Sequence, residues 1–374
     1  MHQKSDVIII SSSATEHANS LLKSGFKKEN IYCLDYFNDT DLNANKYLLR
    51  SESVEEINKY LKDINSISKK NRNTLIITKD LYLDKFYNST IFKNLSYKGN
   101  EFSTILQLKN IKDLFFHLNQ LKIKTPDTFF SVPKKNLKNY IKKNIYGTGG
   151  THIKLLEKDK IIKLSKEEYI QEFINGQTYS VIFLCDAEKN FQIIGVNKIY
   201  YKKTTMSDFV FSGADSNISL QDHLEKEINK IISFFISSYN LIGINSFDFV
   251  VNNDDLFFLE INPRITETCF MYDHLFENGY INAHINSFTC KLKNIVKNKS
   301  FFGFEHLFAN EDIVINDSFP NVNYISNVPK LYSKIKSGEP LCTVHAGSVS
   351  KNDLSKSLDR NSSFIKSKLN YNIV

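Results

Sequence analysis

The stretch F-D-F-V-V-N-N-D-D-L-F-F-L-E-I-N-P-R, Phe247 to Arg264, leaves this chain few folds to choose from. Two apolar, β-rich runs flank the turn residues N-N-D-D, so the segment reads as an antiparallel hairpin. Side chains at i and i+2 of a strand share a face. Glu260, Asn262 and Arg264 therefore lie together, while Leu259 and Ile261 face apolar packing. Asp248 stands on the neighbouring strand, twelve residues before Glu260. Two acids and an amide oxygen on one sheet face suit Mg²⁺, a hard cation that takes oxygen ligands and is usually shared with substrate phosphates. A solvated strand face with a surface ion pair is the simpler alternative. It does not explain why three successive same-face positions are polar, or why Pro263 ends the pairing there. Arg264 is also the only Arg between Arg72 and Arg360 in a chain with 48 basic residues. Its planar fork fits phosphate or carboxylate in a way that Lys does not.

A second segment, K-N-I-Y-G-T-G-G-T-H from Lys143 to His152, brings glycines together beside a lysine. Gly147, Gly149 and Gly150 let backbone N–H groups approach phosphate oxygens, and Lys143 adds a compact charge. The segment is not a Walker A loop: it lacks G-K-[ST] and runs from strand to strand. Taken alone it reads equally as a flexible β-turn. A third segment, Y-I-Q-E-F-I-N-G-Q-T-Y-S-V from Tyr169 to Val181, reads as an edge strand turning at Gly176, or as a hinge whose backbone reads an adenine edge. Spacing leaves both open.

Around these motifs the chain changes pattern once. D-V-I-I-I-S-S-S-A, N-I-Y-C-L-D and N-T-L-I-I-T-K-D are short apolar strands, and H-A-N-S-L-L-K-S-G is an amphipathic helix closed by Gly25. Alternation of this kind gives a parallel, Rossmann-like sheet, but no G-x-G-x-x-G follows the first strand. From about Ile105 strands dominate, interrupted by the helices I-K-D-L-F-F-H-L-N-Q-L-K-I and D-H-L-E-K-E-I-N-K-I-I-S-F-F-I-S-S-Y-N. From about Asn298 the chain reads as short strands and turns. There is no internal repeat and no low-complexity linker.

Composition excludes several classes. The net charge is +7, but the Lys residues are scattered and only four Arg occur, without the clustering of a nucleic-acid surface. Five separated cysteines with no C-x-x-C argue against a disulfide framework or zinc site and for a reducing, cytoplasmic compartment. The apolar run Val7–Ile10 is too short for a signal core or a membrane span.

In this order and at these separations the three motifs resemble the ATP-grasp superfamily, over about Lys112 to Arg264. The resemblance implies an α/β and α+β architecture: a Rossmann-like domain (1–104), an ATP-grasp domain (105–297) with a lid over about 126–169, and a small β-rich C-terminal domain (298–374). It implies ATP and Mg²⁺, with Mn²⁺ as a substitute. Lys143, Gly147, Gly149 and Gly150 would hold phosphates, with Lys112 as a second nucleotide lysine and Lys109 nearby. Gln171, Glu172 and Ile174 would form the adenine hinge, and Thr178 stands where many members carry a ribose-binding Glu. Asp248, Glu260 and Asn262 would hold the metal, and Arg264 would be the catalytic, phosphate-facing cation. Two departures are Gln171, where many members have Glu, and His152, where the loop's last glycine is expected.

Q-E-F-I-N-G-Q-T-Y-S-V-I-F-L, F-S-G-A-D and G-E-P-L-C-T-V-H-A are further similar to a branch of carboligases linked to tetrahydromethanopterin- and methanofuran-type one-carbon carriers, to which a tyramine–glutamate ligase is related. The resemblance implies amide formation between small-molecule carboxylate and amine substrates through an acyl phosphate, in a homodimer that needs neither membrane nor nucleic acid. An ATP-dependent carboxylase, a small-molecule kinase and a non-catalytic nucleotide-binding module are the alternatives.

Overall fold

A computed structural model describes residues 6–37, 39–68, 72–133, 139–156, 162–296, 300–369 and 371–373. The chain begins with the expected parallel sheet. Val7–Ile10 lies at its centre, flanked by Ile31–Asp35 and Asn45–Leu48 on one side and by Thr74–Ile77 and Ser96–Tyr97 on the other. All four residues of the central strand are buried, and strand alternation sends them to opposite faces. Ile8 and Ile10 pack against Ile57, Leu61 and Ile64 of the helix Val54–Ile67. Val7 and Ile9 join a core containing Ile182, Ile244, Tyr272 and Tyr280 from later in the chain. One face of the first domain is thus continuous with the core of the next.

An eight-stranded antiparallel sheet forms the body, in the order Asp255–Asn262, Gly243–Asn252, Gln177–Cys185, Phe191–Lys202, Val210–Asp215, Phe301–Phe308, Pro340–Ser348, Ile325–Ser326. The helices Ile111–Gln120 and Asp222–Tyr239 share an apolar core with it through Leu114, Leu118, Ile228, Ile232 and Phe235. The C-terminal residues do not stand apart: Phe301–Phe308 pairs directly with Val210–Asp215. They also contain the 18-residue helix Lys351–Lys368, where the sequence reading places none. Its low apolar content hides it, since only Leu354, Asn361, Ser362 and Ile365 are buried.

A separate four-stranded sheet, ordered Thr128–Phe129, Glu168–Glu172, Tyr140–Asn144, Lys154–Leu155, stands over the body where the lid is expected. Of that lid, residues 134–138 and 157–161 lie outside the described residues. Among the described residues no helix is long and apolar enough to cross a membrane.

Candidate active site

The hairpin of the sequence reading is present as Gly243–Asn252 and Asp255–Asn262. Asn253 and Asp254 turn it with φ of 47° and 63°, a left-handed pair that Asn and Asp accept more readily than bulky residues. Asp248 stands directly opposite Glu260, and Ser246 opposite Asn262. The register then slips, so that Phe249 faces Phe258 and Leu259 is left without a partner. This bulge corrects the strict alternation read from the sequence. Ile261 is core, but Leu259 lines the same cavity as the acids.

That cavity, about 1040 Å³, lies between the small sheet, the body and the first domain. Lys143, Gly149, Gly150, Gln171, Glu172, Ile174, Thr178, Asp248, Glu260, Asn262 and Arg264 all line it. Lys143, on Tyr140–Asn144, is 4% exposed, with Nζ 3.5 Å from Gln171 Oε1 and 3.5 Å from Glu260 Oε2. Burial opposes its charge, but Tyr169 and Glu260 outweigh that and hold the ammonium above its ordinary range. Burial would raise Glu260, yet Lys143, Lys109 and His152 hold it down. Asp248 goes the other way. Burial and then the Glu260 charge raise its carboxyl well above the usual range, and Asn262 Nδ2 is 3.5 Å from its Oδ2. One cation is shared among two facing acids, an arrangement that a divalent ion would complete.

Gly149 and Gly150 are both left-handed, with φ of 61° and 74°. A Cβ on Gly149 would meet nothing within 4 Å, whereas one on Gly150 would fall 1.8 Å from the carbonyl oxygen of Phe209. The loop is stitched to the body there: Phe211 N donates to Gly149 O at 2.9 Å, and Ser207 Oγ to Ile153 O at 2.6 Å. Gly147 does something else. It is absent from the cavity wall, and a Cβ on it would lie 2.0 Å from the His152 ring. Its missing side chain makes room for that imidazole, which reaches the cavity with its buried Nδ1 unpartnered among the described residues.

Two other expected residues lie differently. Lys112 is exposed on Ile111–Gln120 and does not line the cavity. Lys109, three residues earlier, helps hold down both Glu260 and Asp80, and its Nζ is 5.4 Å from the centre of the Tyr82 ring. Arg264 lies just past its strand, and its fork is engaged within the protein. Nη2 is 2.6 Å from Asp80 Oδ2, and Nη1 donates to Thr78 O at 3.3 Å, leaving Nε without a partner among the described residues.

At the hinge, the Gln171 side chain is buried between Lys143 and Thr128, with Nε2 donating to Thr128 Oγ1 at 3.3 Å. Glu172 N donates to Asp127 O at 2.8 Å. Phe173, Phe209, Tyr201 and Leu259 line the cavity beside Ile174 and were not singled out from the sequence. Strand alternation hid Leu259, and nothing in the pattern of the others distinguished them from core.

The chemistry of the donor set fits MgATP. Among the described residues no three His, Cys, Asp or Glu form a self-sufficient metal cage, so Asp248, Glu260 and Asn262 need further oxygens from a ligand. Ser246 Oγ, buried beside Asn262, also lacks a partner among the described residues.

Residues 108–268 match the ATP-grasp domain. The chain is 28% identical over 348 residues to an uncharacterized protein of Methanocaldococcus jannaschii, covering 88% of this chain and 84% of that one. It is 30% identical over 172 residues to the tyramine–L-glutamate ligase of the same organism, covering 46% of this chain and 45% of the ligase. The structure of an L-amino acid ligase from Bacillus licheniformis superposes with a TM-score of 0.69 at 10% identity, over 100% of this chain and 99% of that one. The chain therefore carries an ATP-grasp domain over residues 108–268.

Proposed function

We propose that the protein is an ATP- and Mg²⁺-dependent carboxylate–amine ligase that activates its carboxylate as an acyl phosphate. The observation that carries this reading is the pairing of Asp248 with Glu260 across the hairpin, with Asn262 beside them and Lys143 drawn in from the small sheet. Asp248, Glu260 and Asn262 would hold Mg²⁺, which when bound supplies positive charge to the phosphates.

Lys143 and the N–H groups of the Gly149–Gly150 loop hold phosphate oxygens and offset charge as the γ-phosphoryl group passes to the carboxylate. Ile174, Phe173 and Leu259 give the adenine an apolar slot, and Thr178 stands at the ribose. Lys109 and Lys112 both precede the lid and neither lines the cavity; Lys109, which helps hold down Glu260, is the nearer to the phosphates. Arg264, held by Asp80, presents its remaining edge to the transferring group. The small sheet over the cavity excludes water, which would otherwise hydrolyse the acyl phosphate. The amine nitrogen then bonds to the acyl carbon, the carbon–oxygen bond to phosphate breaks, and phosphate leaves with that electron pair.

The relative that joins tyramine to L-glutamate makes an amino-acid carboxylate and an arylalkyl amine the first substrates to try. The resemblance to carboligases of one-carbon carriers supports a carrier precursor as the physiological product. The reading is tested by ADP release and amide formation across L-amino acids with and without primary amines. ADP release that depends on bicarbonate, or a stable phosphorylated product, would contradict it.

A further inference from the structure

The cavity extends well past the phosphate loop. Its far end is built by all three parts of the chain: Ser13, Glu16 and Asp39 from the first domain, Glu267 from the body, His306 and Asn327 from the C-terminal strands. These side chains form two linked rows. In the first, Ser13 Oγ lies 3.0 Å from Asp39 Oδ2 and 2.8 Å from Asn327 Oδ1. Asn327 Nδ2 donates to Thr343 Oγ1 at 2.9 Å, Thr343 Oγ1 is 3.0 Å from His306 Nδ1, and His306 Nε2 is 3.4 Å from Glu267 Oε2. In the second, Glu16 Oε1 is 3.7 Å from His345 Nε2, which is 2.5 Å from Ser326 Oγ.

This end has acids but no permanent cation. Among the described residues four Lys or Arg side chains line the cavity; Lys79 pairs with Glu52, Lys143 with Glu260 and Arg264 with Asp80, while Lys334 is exposed. Among the described residues none is within ion-pair distance of Glu16, Asp39 or Glu267. Lys46 approaches Asp39 only from behind, donating to its backbone oxygen at 2.6 Å. Burial pushes His345 down to about 4, so at neutral pH it brings Glu16 no charge, and its Nε2 is engaged with Ser326 Oγ. Burial pushes Glu16 up to about 6, with Asp41 and Glu267 adding to it. Burial acts on Glu267 too, but the His306, His17 and His345 imidazoles outweigh that and hold its carboxyl below the ordinary value. A half-buried pair of carboxylates with imidazoles and no Lys or Arg beside them is complementary to a cationic ligand. The walls beside them are aromatic: Phe37, Phe211 and Phe308 line the same cavity, and Phe211 stands 5.7 Å from the His306 ring.

We propose that the end of the cavity lined by Glu16, Glu267 and His306 binds the nitrogen of a primary amine on an apolar or aromatic stem, and so is the amine site of the ligase. This rests on the ligase reading and assigns its second substrate. The ammonium group sits against Glu16 and Glu267, with its stem along Phe211 and Phe308. Before attack the ammonium gives one proton to the adjoining carboxylate or imidazole, which frees its lone pair. The neutral nitrogen then bonds to the acyl carbon, the carbon–oxygen bond to phosphate breaks with its electron pair going to phosphate, and the second proton leaves with the phosphate.

The test is a partition experiment on the full chain with ATP, Mg²⁺ and a mixture of L-amino acids as carboxylate donors. Hydroxylamine, small and uncharged, traps an acyl phosphate as hydroxamate, and it competes with 2-phenylethylamine, tyramine or n-butylamine. The wild type should form amide with at least one of these amines. The amide-to-hydroxamate ratio should fall at least tenfold in both Glu267→Gln and Glu16→Gln, with partial recovery in Glu267→Asp. As a check independent of variant folding, 2-phenylethylamine should raise the melting temperature of the nucleotide-loaded wild type, and 2-phenylethanol should not. Hydroxamate without amide from any amine, an unchanged ratio in both Gln variants, or equal stabilisation by the alcohol would overturn the amine site alone. Absence of hydroxamate from the wild type would overturn the ligase reading and the site with it.

Discussion

Arg264 Nη2 lies 2.6 Å from Asp80 Oδ2, joining the strand end after Asn262 to the loop that follows Thr74–Ile77 of the parallel sheet. Asp80 is held well below the carboxylate range: burial opposes its charge, and Arg264 outweighs that. Tyr82 OH donates to its other oxygen at 2.9 Å. If Asp80 sets the guanidinium's position, Arg264→Lys should lower kcat by roughly 10²–10³-fold, the scale of losing one charge-stabilising donor, with a smaller change in the KM for ATP. Asp80→Asn should lower it in the same direction, and the double variant should cost little more than Arg264→Lys alone. Fully additive effects would show that the two act separately. Breaking a buried pair also costs about 3–5 kcal/mol in stability, so thermal melts should accompany the kinetics.

The two loop glycines separate strain from access. At Gly149 the space ahead of the missing Cβ is open, so Gly149→Val should place a side chain where phosphate approaches. Titration calorimetry with a non-hydrolysable ATP analogue should show affinity reduced at least tenfold; a β-branched residue at a φ of 61° also costs on the order of 1–3 kcal/mol in backbone strain, so a thermal melt should accompany it. Gly147→Ala should instead displace His152. Equal affinities for wild type and Gly149→Val would remove the loop from the phosphate site.

Asp39 gives the fold a pH dependence with a definite sign. Burial and the neighbouring Asp35 push its carboxyl up from 3.8 to about 7 in the folded protein. The folded state therefore holds a proton that the unfolded chain has already released, and stability falls as pH rises from about 4 through about 7. Each pKa unit is about 1.4 kcal/mol, so between pH 5 and 8 this group costs on the order of 2–3 kcal/mol. Glu16, raised to about 6, acts with the same sign. Urea melts at pH 5 and pH 8 should show Asp39→Asn gaining on the wild type at the higher pH. A constant difference between the two would contradict the assignment.

Much of this could be read from the residues because the decisive features are local. Asp248, Glu260 and Asn262 share a face by strand alternation, and the N-N-D-D turn sets the pairing. Lys143 and the glycines occur in one short run. What escaped the residue pattern is of two kinds. Leu259 reaches the cavity because a bulge breaks the alternation, and a single slipped register leaves no mark in the residue pattern. Arg264 bonds to Asp80, and Glu16 approaches His345, across separations of 184 and 329 residues (264 − 80 and 345 − 16). Contacts between domains depend on how whole sheets dock, which no local periodicity encodes. In the sequence Gly147 looks like the other loop glycines, and only the packing of His152 shows why that position is small.

The central claim is that the facing acids of the hairpin hold the metal for ATP-driven activation of a carboxylate. It is tested most directly by comparing Glu260→Gln with the wild type for Mg²⁺-dependent ADP release in the presence of L-amino acids and a primary amine, alongside a thermal melt. The wild type should release ADP only when metal, carboxylate and amine are all present. Glu260→Gln should melt as a folded protein and release none. A folded Glu260→Gln variant that turns over at the wild-type rate would contradict the account.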